Sequence, residues 1–109
     1  METTRIINGV SADEFKDIIN RYSKNIVVNH HALDHVSDCQ RRIFNINELI
    51  RPLLHETPAG IGLQANGRYA VFYRRKYGFI RIILEIKEFK LEITTFLNTD
   101  CVPNIRRLP

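Results

Sequence analysis

Residues 67–96 read GRYAVFYRRKYGFIRIILEIKEFKLEITTF, and the pattern of this stretch is the strongest indication of the fold in the sequence. Apolar and polar residues alternate along most of it, which is typical of strands that bury one face. Asn66-Gly67 at its start favours a two-residue hairpin turn, and Lys76–Gly78 suits a three-residue turn with left-handed glycine. A third turn is expected near Lys87–Phe89, although it has neither glycine nor asparagine. The stretch therefore predicts antiparallel strands joined by short hairpins.

A helical pattern opens the chain. Ser11 and Glu14 have the spacing of a capping box, and the apolar face that follows predicts a helix from about Ser11 to Lys24. Arg5–Asn8 before this helix is a candidate short strand or extended arm. Asn25–Val28 after it is a candidate short strand.

Two more segments have helical periodicity. HALDHVSDCQRR, residues 31–42, is the first, and the apolar stripe Leu49–Leu54 is the second. Pro52 is expected within the first turn of that second segment, where proline is tolerated. The chain as a whole therefore predicts an α+β fold, in which a meander of about four antiparallel strands is packed on one side by two or three helices.

The chain has 109 residues, which is the usual size of one domain. We expect a single domain over residues 1–109, with an N-terminal arm and helix (1–24), a helical part (25–58), and the sheet with a C-terminal tail (59–109). The N-terminus lacks a signal-peptide pattern, and no apolar run approaches the roughly 20 residues of a membrane span. We expect a cytoplasmic protein without membrane association, whose two cysteines are reduced.

The turn lengths predict which residues share a sheet face. A two-residue loop at Asn66-Gly67 places Ile61 opposite Phe72, and a three-residue loop at Lys76–Gly78 places Phe72 opposite Ile82. The face toward the helices then holds Ile61, Leu63, Ala70, Phe72, Ile80, Ile82, Leu84, Ile86, Leu91, Ile93, Thr95 and Leu97. The opposite face holds Gln64, Tyr69, Val71, Tyr73, Arg81, Ile83, Glu85, Glu92, Thr94 and Phe96.

This second face has two interpretations. Cross-strand charged and aromatic pairs are common on a sheet face that meets water. The same residues also suit RNA, since Tyr69, Tyr73 and Phe96 offer rings for base stacking, Thr94 lies beside them, and Arg81 binds phosphate. A net charge of +4, from 16 Lys+Arg against 12 Asp+Glu, favours an anionic partner. From the pattern, both interpretations stay open.

The helical segment at 31–42 places His31, His35 and Cys39 on one face, four residues apart. Two histidines at that spacing suit zinc, and the cysteine is a candidate third ligand. The spacing lacks a CxxC or HExxH motif, so we expect no bound metal. Histidine also titrates near neutral pH, so it can move the proton of an RNA 2′-hydroxyl, with arginines such as Arg41 and Arg42 stabilising the phosphate.

Four segments in order, HALDHVSDCQRR, NINELIRPLL, GRYAVFYR and KLEITTF, resemble a known family. They are similar to small uncharacterised domains that open with His-Ala and end in a strand carrying Thr plus an aromatic. Those domains are grouped with BrnT and RelE toxins, in the superfamily that includes barnase and colicin ribonucleases. The resemblance spans about residues 30–99, where His31-Ala32 matches the opening and Thr95-Phe96 the end.

The resemblance implies a metal-independent endoribonuclease of a toxin–antitoxin system, with no cofactor, RNA as its substrate and an antitoxin protein as a partner. His31 or Glu85 would take the 2′-hydroxyl proton, and Arg81 with Arg41 or Arg42 would hold the phosphate. The residues expected to bind RNA beside them are Tyr69, Tyr73, Thr94 and Phe96.

The chain also departs from the family pattern. Relatives have arginines at successive four-residue steps after the opening His-Ala, where this chain has His35 and Cys39, and Arg41 and Arg42 follow slightly later. An inactive RNA-binding relative is therefore one alternative. A protein-interaction module that uses the aromatic sheet face is another, and a small zinc-binding domain is the third.

Overall fold

The computed structural model describes residues 4–29, 32 and 46–103. Its elements, in chain order, are β1 (Ile6–Gly9), α1 (Ala12–Tyr22), β2 (Ile26–Val28), α2 (Ile46–His55), β3 (Gly60–Gln64), β4 (Tyr69–Arg75), β5 (Gly78–Lys87) and β6 (Lys90–Thr99). None of the helices in this part of the chain is long and apolar enough to cross a membrane. The predicted helical segment at 31–42 lies outside the described residues except for Ala32.

The strands form one six-stranded sheet in the order β1-β3-β4-β5-β6-β2. β3 to β6 are consecutive and antiparallel, as a meander requires. β1 adds an antiparallel strand beside β3, and β2 adds a parallel strand beside β6. The α+β class is confirmed, whereas the predicted sheet of about four antiparallel strands is too small, because both short N-terminal segments join the sheet edges.

Helices α1 and α2 can be compared with the capping and apolar patterns that predicted them. The Ser11 hydroxyl accepts a hydrogen bond from Glu14 N–H at 3.1 Å, so the predicted N-cap of α1 is confirmed. Leu49 and Leu53, one helical turn apart, are buried on α2. Pro52 is the seventh residue of α2 and not part of its first turn, so that prediction is wrong; the ring is fully buried within the helix.

Both helices pack on one face of the sheet, called here the helix face. The core they form with the strands consists of Phe15, Ile19, Leu49, Leu53, Ile61, Val71, Tyr73, Ile80, Ile82, Leu84, Leu91, Ile93 and Phe96. Burial of this apolar surface is the main source of stability in such a layered fold.

The β3–β4 hairpin differs from the predicted one by a single residue. Its backbone pairs Ile61 with Val71 and leaves Ala65–Gly67 as a three-residue loop. Gly67 has φ of 85°, the left-handed conformation that closes a loop of this length. The predicted two-residue loop, with Ile61 opposite Phe72, is therefore wrong, because Asn-Gly also suits the longer loop with glycine last.

The β4–β5 hairpin differs in the opposite sense. Arg75 pairs with Gly78, so the loop is the two residues Lys76-Tyr77, and Phe72 lies opposite Arg81. Gly78 has φ of 124°, which explains why glycine is needed there. The predicted three-residue loop is wrong. Gly78 does have the positive φ that the sequence predicts, but it is the first residue of β5 and not a residue of the loop.

Together these two errors exchange the faces of β4. Ala70 and Phe72, predicted to face the helices, lie on the opposite face of the sheet, where both are buried. The residues that face the helices instead are Tyr69, Val71 and Tyr73. Every prediction that placed those tyrosines beside Arg81 is corrected by this exchange.

A β-bulge changes the alternation in β6. Ile83 pairs with Thr95, and the register then shifts so that Thr94 is an extra residue without a partner in β5. Phe96 is consequently buried on the helix face, while Leu97 is exposed. The uninterrupted alternation that placed Thr95 and Leu97 toward the helices is therefore wrong.

The second face is called here the charged face. Its residues include Gln64, Arg68, Ala70, Phe72, Arg81, Ile83, Glu85, Lys87 and Glu92. Ala70, Phe72 and Ile83 form a small buried cluster against which Ile6 and Val102 pack. The prediction that Arg81 and Glu85 lie opposite the helix-packed core is confirmed.

Candidate functional site on the charged face

Arg81 occupies the centre of the charged face. Its Nη2 donates to Gln64 Oε1 at 2.7 Å and to the Thr4 carbonyl at 2.9 Å. The guanidinium carbon lies 5.3 Å from the centroid of the Phe72 ring, within the range of a cation–π contact. Partial burial lowers the pKa of Arg81 from its ordinary value, but an arginine stays charged at neutral pH. The structure thus holds the positive charge of Arg81 in a fixed position against the buried apolar cluster that contains Phe72.

Glu85, four residues further along β5, lies between two cations. Its Oε2 is 3.7 Å from Arg68 Nε and 3.6 Å from Lys87 Nζ. The Glu85 side chain is 32% exposed, so the carboxylate is reachable from solvent while both cations hold it. A carboxylate placed this way can accept a proton next to a bound anion.

Glu92 lies directly across from Glu85 on β6, and it is buried. Its Oε1 accepts hydrogen bonds from Lys87 Nζ at 3.0 Å and from Asn29 Nδ2 at 3.2 Å. The bond from Lys87 is the main cause that lowers the pKa of Glu92, and the same bond raises the pKa of Lys87. Lys87 therefore bridges two facing carboxylates that would otherwise repel each other.

Asn29 connects this group of charges to the histidine segment of the chain. It follows β2, its backbone N–H donates to the Ile93 carbonyl at 2.9 Å, and its side chain bonds Glu92. His30 and His31 are the next two residues in the sequence. Ala32 after them is buried, and its N–H donates to the Asn29 carbonyl at 2.9 Å.

We define the charged cluster as Asn29, Arg68, Arg81, Glu85, Lys87 and Glu92. Sequence reasoning found Arg81 and Glu85, but it missed Arg68 and Lys87, which surround the carboxylate. Arg68 was missed because the predicted β3–β4 register placed it on the wrong face. Lys87 had been assigned to a turn, whereas it is the last residue of β5.

The predicted stacking residues do not join this cluster. Tyr73 is fully buried on the helix face, Phe96 is buried there as well, and Tyr69 packs partly buried against the same core. The fully buried Tyr73 ring has no face available to a base, and Tyr69 and Phe96 lie on the sheet face opposite Arg81. Thr94, the bulge residue, is half-buried and its hydroxyl donates to the Ile83 carbonyl at 3.3 Å.

Tyr73 shows how apolar the helix face is. Its hydroxyl is the one buried side-chain polar atom, among the residues the structure describes, that lacks a hydrogen-bond partner. Burial raises the pKa of Tyr73 well above its ordinary range, because the phenolate would lose its solvation. Tyr73 is therefore a core residue and does not reach the charged face.

The other predicted site residues, His31, Arg41 and Arg42, lie outside the described part of the chain, as do His35 and Cys39 of the zinc hypothesis. Within residues 4–29, 32 and 46–103, no group of three or more His, Cys, Asp or Glu side chains is placed to hold a metal ion. The charged cluster consists instead of three cations, two carboxylates and the Asn29 amide, and its two arginines are side chains suited to an anionic ligand.

Comparisons with known proteins leave the site to be interpreted from its geometry: no protein-family model, no curated protein and no solved structure matches this chain.

Proposed function

We propose that the protein is an RNA-binding endoribonuclease that cleaves through the substrate's own 2′-hydroxyl at the charged cluster. The observation that supports this most is the position of Glu85, whose reachable carboxylate lies within 3.7 Å of two cations. Cleavage of this type needs a base beside the 2′-hydroxyl and positive charge beside the phosphate, and both are held on one sheet face.

The proposed reaction begins at Glu85. Its carboxylate takes the proton of the 2′-hydroxyl while the 2′-oxygen forms a bond to phosphorus. The bond from phosphorus to the 5′-oxygen then breaks, and the leaving oxygen keeps the electron pair of that bond. Lys87, whose ammonium lies 3.6 Å from Glu85, supplies the proton that the leaving oxygen takes up. The products are a 2′,3′-cyclic phosphate and a free 5′-hydroxyl.

Arg68 and Arg81 hold the phosphate in this proposal. Arg68 is 42% exposed and reaches Glu85 through Nε, so its guanidinium is accessible to solvent beside the carboxylate. Arg81 is fixed by Gln64 and by its contact with Phe72, and a fixed cation needs little rearrangement to stabilise the pentacoordinate phosphate. The net positive charge of the chain favours the approach of RNA.

His31 is the second candidate base in this proposal. It follows Asn29 by two residues, and Asn29 contacts the buried Glu92. Expression of the wild type in a bacterial host should arrest growth, and His31→Ala should relieve the arrest if the imidazole takes part. Arrest by wild type and by His31→Ala alike would leave Glu85 as the base.

The test of the function uses a single-stranded RNA labelled at one end, incubated with the protein in a chelator. We expect cleavage with a 2′,3′-cyclic phosphate on the upstream product, and no cleavage of an oligonucleotide that lacks the 2′-hydroxyl at the scissile position. Glu85→Gln should reduce the rate by at least about 100-fold, the usual contribution of a general base. Asp17→Asn, which removes one exposed carboxylate from α1, is the matched control and should cleave normally. Equal rates in these two variants would contradict the proposal.

A further inference from the structure

A groove lies at the β2 edge of the sheet, where Lys87 of the charged cluster forms part of its wall. It has a volume of about 780 Å³ between the end of α1, strand β2 and the β5–β6 hairpin. Three lysines line it, Lys24, Lys87 and Lys90, together with a single acidic residue, Glu88. Its apolar surface comes chiefly from Val27 and Phe89.

Strand β2, whose Ile26 and Val27 line the groove, has backbone groups on its outer side that pair with no other strand among the described residues. The Asn25 carbonyl and the Asn29 N–H bond to β6, so by strand alternation Val27 also points to β6. The N–H and C=O groups of Ile26 and Val28 therefore point outward. Among the described residues β2 is the last strand on this side of the sheet. An outer strand with free backbone groups is a template for one more strand.

The adjacent hairpin loop places an aromatic ring beside that template. Phe89 is 82% exposed, and the loop joins the paired residues Lys87 and Lys90. Glu88, the other loop residue, has φ of 41°, a conformation for which Asn or Gly is the usual choice. The loop thus combines an unfavourable backbone conformation with an exposed apolar ring. Backbone outliers of this kind cluster at functional sites and ligand clamps.

We propose that an extended acidic segment of a partner protein binds this groove by adding a strand to β2. Its backbone would pair with Ile26 and Val28, alternate apolar side chains would contact Val27 and Phe89, and its carboxylates would meet Lys24 and Lys90. Backbone pairing supplies affinity and the side-chain contacts supply specificity in this mode of recognition. The proposal does not depend on RNA cleavage.

Two other occupants fit the groove less well. A second copy of this chain would bring the same lysines together across a two-fold axis, and like charges facing each other oppose association. A nucleic acid would satisfy the lysines, but it has no backbone that pairs with the outward N–H and C=O groups of a β-strand. An acidic extended peptide satisfies the charge, the ring and the strand edge together.

The test is an NMR titration of the ¹⁵N-labelled full chain with the synthetic peptide acetyl-Glu-Val-Glu-Val-Glu-Val-amide up to millimolar concentration. We expect shifts confined to residues 24–28 and 87–90, and slower hydrogen exchange at the Ile26 and Val28 amides. Phe89→Ser should weaken binding by about tenfold or more, as expected for a central aromatic anchor. Lys24→Glu with Lys90→Glu should weaken it further.

Tyr77→Ser is the matched control, because Tyr77 is 87% exposed at the tip of the other long hairpin. It should bind the peptide as the wild type does. The same peptide with lysine in place of glutamate should produce no shifts. Four results would overturn the proposal: no shifts at residues 24–28, equal shifts with the lysine peptide, a Phe89-dependent dimer by light scattering, or shifts there with oligouridine instead of the acidic peptide.

Discussion

The two faces of the sheet use opposite chemistry. The helix face is a continuous apolar core in which, among the described residues, one buried hydroxyl lacks a partner, that of Tyr73. The charged face has a small apolar floor, Ala70, Phe72 and Ile83, with ion pairs around it that are partly exposed. Ion pairs in contact with water add little to stability, typically below about 1 kcal/mol. The partly exposed ion pairs of the charged face can therefore change for function without unfolding the molecule.

The largest expected effect tests whether the floor of the charged face is a true core. Phe72 is fully buried there, and Phe72→Ala should lower the free energy of unfolding by about 3–5 kcal/mol in chemical denaturation. Phe89→Ala, the same change at a ring that is 82% exposed, should stay within about 0.5 kcal/mol of the wild type. Similar losses in both variants would mean that Phe72 is not packed as described.

The next effect tests the hairpin that exchanges the two faces. A Cβ at Gly78 would lie 2.6 Å from the Thr99 carbonyl oxygen, at a φ that disfavours side chains. Gly78→Ala should therefore cost about 3 kcal/mol in thermal or chemical unfolding. Gly67 has a positive φ, but no atom of the described residues lies within 4 Å of the added carbon, so Gly67→Ala should cost about 1 kcal/mol. A larger loss of stability in Gly67→Ala than in Gly78→Ala would contradict the β4–β5 register.

These hairpins also show how much of the fold can be predicted from the sequence. Alternating residues identified the strands of the meander, and a cap identified α1. The faces of β4 could not be fixed, because Asn66-Gly67 suits loops of two or three residues and each choice exchanges the side chains of the next strand.

The pairing of β2 with β6 and the bulge at Thr94 depend on contacts between distant parts of the chain, which local patterns do not encode. Local patterns were limited in the same way for the residues of the charged cluster. Glu85 and Arg81 were found because both lie in one strand at even spacing. Arg68 comes close to Glu85, and Asn29 to Glu92, only through pairing with other strands.

A smaller effect tests the buried carboxylate of the charged face. The pKa of Glu92 is lowered in the folded state, so its contribution to stability is present above the pKa of the unfolded chain and lost as pH falls through the folded value. Glu92→Gln should be less stable than the wild type at pH 7, by about 1–2 kcal/mol. The gap between the two proteins should begin to narrow as pH falls below the pKa of an unfolded glutamate, about 4.3. A gap that stays constant across the titration would contradict the ion pairing described for Glu92.

The smallest effect belongs to the helix face. Tyr73→Phe removes a buried hydroxyl that has no partner among the described residues, so it should leave stability unchanged or raise it by about 1 kcal/mol in chemical denaturation. It should not alter RNA binding, because the ring is on the face away from the charged cluster. A loss of RNA affinity in this folded variant would return Tyr73 to the binding surface.

The most direct measurement compares Leu84 and Glu85, which are neighbours in β5 on opposite faces. Unfolding free energy and the rate of RNA cleavage in chelator are measured for Leu84→Ala and Glu85→Gln. Leu84→Ala should lose about 2–5 kcal/mol of stability, with the folded fraction still cleaving RNA. Glu85→Gln should stay within about 1 kcal/mol of the wild type and lose cleavage by at least about 100-fold. A stable Glu85→Gln protein that cleaves at the wild-type rate would contradict the account.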